Sequence, residues 1–350
     1  METEHPQAPS RTWERLSFPV LLVLIVGASV LCIGNGSVYI EPAHTLSILW
    51  EQLTGVALAE TTEAQRIIVM QLRLPRVLLA ALVGSSLSLS GAAMQGLIRN
   101  PLADGSTLGV TSGGSLGAVL CLALGWQISA WPSLSTALFG IAFSVLSLVI
   151  ILLFARRMDA DFSSNTIILS GVIFSMLAGS LTSLLIAFAG DSVREIVFWS
   201  MGSLSGRSWE AVGLLLGFVL VGQGLILVNS RELDALALGE EQAAYIGVDV
   251  RRVRMQLLLG SAVLCGATVS LCGHIAFVGL IVPHVVRLVA GPLNRRLLPN
   301  SALLGALFLM LCDLTARMVM QPLELPIGVI TSIIGALVLI FVFYHQRPKG

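Results

Sequence analysis

Residues 105–155 read GSTLGVTSGGSLGAVLCLALGWQISAWPSLSTALFGIAFSVLSLVIILLFA and contain no Asp, Glu, Lys or Arg. About 20 apolar residues of helix cross a bilayer core, so this run is long enough for two crossings, with a break between Trp126 and Pro132. The same criterion applied outward finds uncharged stretches at 16–40, 77–98, 162–190, 211–230, 255–286, 297–312 and 325–346. The stretch 255–286 must hold two shorter helices broken near His274. The expectation is an all-α polytopic membrane protein of ten transmembrane helices spanning 16–346, with tails at 1–15 and 347–350.

Composition agrees with that expectation and excludes other classes. Hydrophobic residues make up 55% of the 350 and charged residues 11%, against about 25% charged in an ordinary soluble domain. Mean hydropathy is +0.89. Net charge is zero, which offers nucleic acid no basic footprint. Of the 20 basic residues only Lys349 is a lysine, so no phosphate-binding loop of the GxxxxGK[ST] type is present. Cys32, Cys121, Cys265, Cys272 and Cys312 lie in apolar segments without a CxxC pair, as small hydrophobes rather than zinc or disulfide sites.

An even number of crossings puts both termini on one side. Only Arg66, Arg73, Arg76, Arg194, Arg207 and Arg317 fall opposite them, against fourteen basic residues on the termini side, which places the termini in the cytoplasm. The first apolar stretch follows Arg11 and Arg15 as a signal peptide would, but no small-x-small cleavage site follows cleanly, and it is taken as a retained helix. Between Ser37 and Leu72, Leu46, Leu49 and Leu53 have the spacing of a short amphipathic helix on the outer surface.

Two segments share a spacing: Gly84, Gly91 and Pro101 recur as Gly266, Gly273 and Pro283, offset by 182 residues. They begin five crossings apart and so run in opposite directions, the mark of an inverted repeat relating helices 2–5 to helices 7–10. Gly109, Gly113 and Gly117, four apart, permit close helix contact.

Intramembrane ionisable groups are the default functional suspects. Asp313 is the one acid placed within a span, and Arg317 four residues on can pair with it on one helix face. His274 and His284 fall near span ends. An ion-coupled transporter would lack its usual acids, and an intramembrane hydrolase would need a serine–histidine or paired-aspartate constellation deep in the spans.

Something else must then drive the chain. The longest hydrophilic insertion on the termini side, residues 231–254, reads RELDALALGEEQAAYIGVDVRRVR. Gly239 and Gly247 bracket a helix of about two turns there, which from these residues alone is equally a solvated loop or an element that docks into a groove of a separate ATPase. On the opposite side, Arg73-Leu74-Pro75-Arg76 and Arg317 resemble a docking surface for an acidic partner, since guanidinium groups take carboxylates bidentately.

These motifs in order resemble the FecCD family of ABC importer permeases over residues 16–346: Arg73 to Arg76, then Gly84, Gly91, Gln95 and NPLADGSTLGV from Asn100 and Pro101 through Gly109. They continue as GHIAFVGLIVPHVVRLVAG from Gly273 through Pro283 and His284, then DLTAR from Asp313, and ELPIGVIT holding Pro326 and Gly328. The chain departs from the family pattern at Gly105, where proline is usual, and at Leu337, where the pattern has proline.

The resemblance implies a multi-pass permease of the inner (plasma) membrane, without catalytic residues of its own and binding no cofactor or metal. It would pair with a second permease copy or paralogue. Two ABC ATPase subunits would carry ATP and Mg below, and a periplasmic or lipid-anchored substrate-binding protein would deliver a ferric siderophore or similar metal chelate, vitamin B12 or haem from above. Docking of the binding protein is implied at Arg73, Arg76 and Arg317. Coupling to the ATPase is implied at Leu238, Gly239, Glu240, Glu241, Ala243, Ala244 and Gly247.

Overall fold

The computed structural model describes residues 11–36, 39–56, 58–126, 132–159, 164–321 and 323–345. All regular structure among them is helical. Helix α1 (Arg11–Gly34) begins inside the segment expected to be a tail, and the tail 347–350 lies outside the described residues. The amphipathic segment is α2 (Pro42–Thr54), which buries Thr45, Ser47 and Ile48 and leaves Leu46, Trp50 and Leu53 exposed. A short helix α3 (Glu63–Ile67), started by a Thr62–Gln65 capping box, passes through a wide π-type turn at residues 68–73 into α4 (Leu74–Ile98). Pro75 sits in the first turn of α4, where its missing N–H costs nothing.

Two halves follow the same plan. In the first, α4 leads through an irregular stretch to α5 (Val110–Ala123), α6 (Pro132–Met158) and α7 (Ser164–Phe188). After α8 (Val193–Ser200), α9 (Trp209–Leu227), α10 (Ser230–Ala237) and α11 (Glu240–Tyr245), the second half repeats it with α12 (Val250–Cys272), α13 (Val278–Ala290), α14 (Asn294–Met318) and α15 (Ile327–His345). Within each half the short helix packs on the two that follow it: α5 on α6 and α7, α13 on α14 and α15. Between halves the pairing is reciprocal, with α4 on α14 and α13, and α12 on α6 and α5. The start of α4 and the end of α12 lie at the same end of the bundle, since Arg76 lines one depression with Ser203, whose backbone N–H donates to the Cys272 carbonyl at 2.8 Å. The halves are therefore inverted.

The offset of 182 does not survive. Gly91 is inside α4, whereas Gly273 terminates α12 with φ +74°. Equivalent points are the left-handed residues that start the two short helices, Gly109 (φ +75°) and Phe277 (φ +69°), 168 apart. In a chain with 34 glycines, a three-residue spacing matches by composition alone.

Seven of the helical stretches are long and apolar enough to cross a membrane, and α5, α13 and the described part of α15 are shorter apolar helices. At 1.5 Å per residue, the 14 residues of α5 and 13 of α13 reach only about 20 Å of a core about 30 Å thick. The stretches before them, without α-helix and with one 3₁₀ turn at Gly105–Leu108, make up the difference, which is tolerable in lipid only because protein surrounds them. Gly105, in the first of these stretches, packs against Cys265 and Ser90 in the interior. The break expected near Trp126 lies mostly in residues 127–131, outside the described residues.

Most of the buried apolar residues form one continuous core through α4, α9, α12 and α14. By contrast only 11% of the span in α7 is buried. A helix that apolar and that bare is covered by something outside this chain, either lipid or another protein.

Candidate functional site

Three places carry polar or close-packed groups that the apolar bundle does not require: at the start of α4, in its last two turns, and against its far end. The first is the end where α4 begins. Arg73 and Arg317 are expected as outward guanidinium groups, and here the structure corrects the sequence reading: they are 6% and 5% exposed. Arg73 Nη1 donates to the carbonyls of Ile33 and Gly34 at 2.8 and 2.9 Å. Arg317 Nη2 donates to Cys32 O and Nη1 to Asn35 O, both at 3.0 Å. The carbonyls of Cys32, Ile33 and Gly34 belong to the last turn of α1 and that of Asn35 follows it, where intrahelical donors run out and the helix dipole also favours cations. The two arginines are therefore the cap of α1.

Arg76 is placed differently. Its Nε donates to Asp313 Oδ1 at 2.9 Å, and its Nη1 reaches Glu324 at 2.9 to 3.0 Å. Asp313 is buried and also pairs with Arg317 at 3.1 Å, the expected i, i+4 pair. Glu324, by contrast, has a side chain 41% exposed. Two depressions of about 370 and 480 Å³ both have Arg76, Arg207 and Glu324 in their walls. The Arg76–Glu324 pair is thus the accessible part of a cluster that otherwise faces inward. Glu324 is the member that sequence reasoning overlooked; it stands at the head of the ELPIGVIT motif, and only its position after a span hinted at a partner.

In the last two turns of α4, three residues of the implied translocation motif come together from opposite halves. Pro283 sits inside α13 and has no N–H, so the carbonyl four residues earlier, Gly279 O, lacks its helical partner. Gln95 of α4 supplies a replacement: its Nε2 donates to Leu280 O at 3.1 Å and to Gly279 O at 3.4 Å. Gly91, one turn back, lets the helices approach this closely, because a Cβ there would run into Gly279 O. Of the remaining motif residues, Asn100 makes a turn by accepting from Leu102 N at 2.9 Å, with Pro101 beside it. Gly109 starts α5, and His284 follows Pro283 in α13. Gly273 and Gly328 pack at the end of α12, where Gly328 abuts Met201 O and His274 O, with Pro326 just before α15. They do not form one site with Gly91 and Gln95.

At the far end of α4, about 37 Å from its start, lies the expected coupling segment. It is two helices rather than one. Leu233 and Leu236 of α10 are buried, Leu233 lying over Gly96 of α4, and Asp234 Oδ1 accepts from both the backbone N and the Nδ2 of Asn294 at 2.8 Å. Gly239 and Gly247 bracket α11 as expected, at φ +129° and +90°, conformations that a side chain resists. Ala243 is the residue of α11 that faces inward; Leu238, Tyr245 and Ile246 are 72%, 89% and 68% exposed, with Glu241 and Ala244 beside them. Glu240 pairs with buried Arg254 at 2.5 Å. Among the described residues no group of three or more His, Cys, Asp or Glu could hold a metal.

Comparison with known proteins fits this arrangement. The ABC transporter permease protein YvrB of Bacillus subtilis is 42% identical over 96% of this chain and 94% of its own length. The cobalamin import permease BtuC of Halobacterium salinarum is 39% identical over 94% of this chain and 87% of its own. A solved metal-chelate-type ABC transporter in an inward-facing conformation superposes with a TM-score of 0.82 at 30% identity, covering 95% of this chain and 99% of that one. The model of the FecCD transport family matches residues 21–345, a span that takes in both inverted halves, the arginine cluster and the two-helix segment, so the chain belongs to the FecCD transport family and is a polytopic membrane permease.

Proposed function

We propose that the chain is the membrane-spanning subunit of an ATP-driven importer that passes a ferric siderophore or similar metal chelate from a binding protein into the cytoplasm. The observation that carries the proposal is the exposed segment around α11, held by two glycines at positive φ and exposing the large apolar side chains of Leu238, Tyr245 and Ile246 at its ends. An apolar patch this exposed, on a helix too short to enter a membrane, is a protein-docking surface, and an ATPase is the partner that a permease without a phosphate-binding loop requires. Two ATPase subunits would bind a pair of permeases whose contact includes the bare face of α7. The termini and α11 face the cytoplasm of the cell's inner membrane. Rocking of the two inverted halves then opens the pathway alternately to each side.

Glu241→Arg tests this directly. Glu241 is exposed and forms no ion pair among the described residues, so the fold should stand, while co-purification of the ATPase should fall at least tenfold. Normal co-purification, for this variant and for deletion of residues 238–248, would sink the assignment of α11.

On the outer face the binding protein docks over the arginine cluster, with a carboxylate displacing Glu324 from Arg76; Arg73 and Arg317 hold the platform. Arg76→Glu should weaken binding-protein capture in a reconstituted pull-down at least tenfold and leave ATPase association intact. Unchanged capture would remove Arg76 from the docking face. Cobalamin is the second cargo reading, because a relative 39% identical is a cobalamin permease.

A further inference from the structure

We infer that the Glu240–Arg254 ion pair is the joint through which movement of the coupling segment enters the membrane helices; the inference rests on the assignment of α11 as the ATPase contact. Arg251 and Arg252 in the same run are exposed and serve the charge asymmetry of the two faces. Arg254 is 4% exposed. It stands in the second turn of α12, the positive end of a helix dipole, where a cation is disfavoured. Its position is therefore not explained by helix electrostatics or by solvation.

Its surroundings explain it better. Arg254 borders a small apolar space together with Met94 and Leu97 of α4, Ile167 of α7 and Leu258 of α12, so its side chain lies where helices of both inverted halves meet. Its ion pair then joins that meeting point to the first residue of α11. A second tie, from Asp234 to Asn294, fixes α10 to the start of α14. The coupling segment is thus pinned to the second half twice, and through Arg254 it also leans on α4 and α7. A push on α11 reaches three membrane helices, α4, α7 and α12, through one guanidinium. Arg254 is a positioning residue, and an apolar side chain of similar volume fills its place without transmitting force.

Arg254→Met and Glu240→Gln separate these roles in the full chain, reconstituted with its cognate ATPase and binding protein. For Arg254→Met, an apolar replacement in an apolar space commonly preserves stability, and Glu240, 43% exposed, is left in water. The complex should assemble, and hydrolysis stimulated by loaded binding protein should stay within twofold of wild type, while chelate uptake falls at least tenfold. Glu240→Gln should reduce uptake in the same direction. The charge-reversed pair Glu240→Arg with Arg254→Glu should recover at least a third of wild-type uptake. Uptake within twofold of wild type for Arg254→Met, or hydrolysis and uptake falling in parallel, would overturn the proposal.

Hydrogen exchange on the permease alone keeps this outcome distinct from failure of the α11 assignment. Arg254→Met should raise exchange at residues 240–247 at least fivefold and leave α14 unchanged. Unaltered exchange there refutes the joint whatever the ATPase does, whereas raised exchange in a chain that binds no ATPase refutes only the assignment of α11.

Discussion

Asp313→Ala should be among the most damaging single substitutions in this chain, with a loss of about 3 kcal/mol or more, the range expected when one member of a buried ion pair is removed. Asp313 is 1% exposed and faces two guanidinium groups, those of Arg76 and Arg317. Its removal leaves Arg317 buried with only backbone carbonyls for company. Because Arg317 also caps α1, the damage should spread: thermal unfolding in detergent should drop, and hydrogen exchange at the end of α1 should rise. Asp313→Asn keeps an acceptor and should lie between wild type and alanine. An ion-coupled transporter predicts the reverse pattern, in which Asp313→Asn abolishes uptake while stability and α1 protection stay at wild-type values. That result would overturn both the cluster's structural role and the assignment of an ATP-driven mechanism.

The same cluster shows where sequence reading reaches its limit. That Arg73, Arg76 and Arg317 belong together was legible, because each stands on the side that the charge rule disfavours. What they bind was not, since Arg73 and Arg317 use backbone carbonyls of Cys32, Ile33, Gly34 and Asn35, and a carbonyl has no letter of its own in a sequence. The helices themselves were readable almost throughout, because lipid imposes long uncharged runs. The split of 255–286 into two helices is visible in the sequence for the same reason: its apolar content exceeds one crossing and falls short of two.

The inverted repeat was legible as a class and misaligned in detail. Equivalence between the halves lies in backbone conformation, glycine at residue 109 and phenylalanine at residue 277 both left-handed, and two different residue types give no sequence match. The short helix α11 was the most legible of these places, because glycines at positive φ are needed to turn so short a helix. Arg254 was counted only among the cytoplasmic charges, and nothing in RRVR separates the buried arginine from its exposed neighbours. That separation comes from both facing and depth in α12: residue 252 lies on the opposite side of the helix from residue 254, and residue 251, on nearly the same side, stands one turn earlier, in the exposed first turn.

The interlock of Gly91, Gln95 and Pro283 carries the second large expected effect. Gly91→Ala should cost about 3 kcal/mol, the upper part of the range for overpacking, because the new methyl group meets the backbone oxygen of Gly279, which no side-chain rotation can clear. Gly96→Ala is the informative comparison. Its methyl would stand 2.9 Å from a terminal carbon of Leu233, a flexible side chain that can swing aside, and the cost should be under about 1 kcal/mol, partly offset by alanine's better helix propensity. Gly213→Ala in α9, with nothing within 4 Å of the new atom, should be neutral or slightly stabilising. Forcing α4 away from α13 also strands Gly279 O, which Pro283 cannot serve and Gln95 would no longer reach. Uptake by Gly91→Ala should therefore fall at least tenfold even at temperatures where the chain stays folded. Equal thermal stability for the residue 91, 96 and 213 alanine variants would show that α4 and α13 do not meet as closely as described. A stability loss without a loss of uptake would show that the two halves move without this contact.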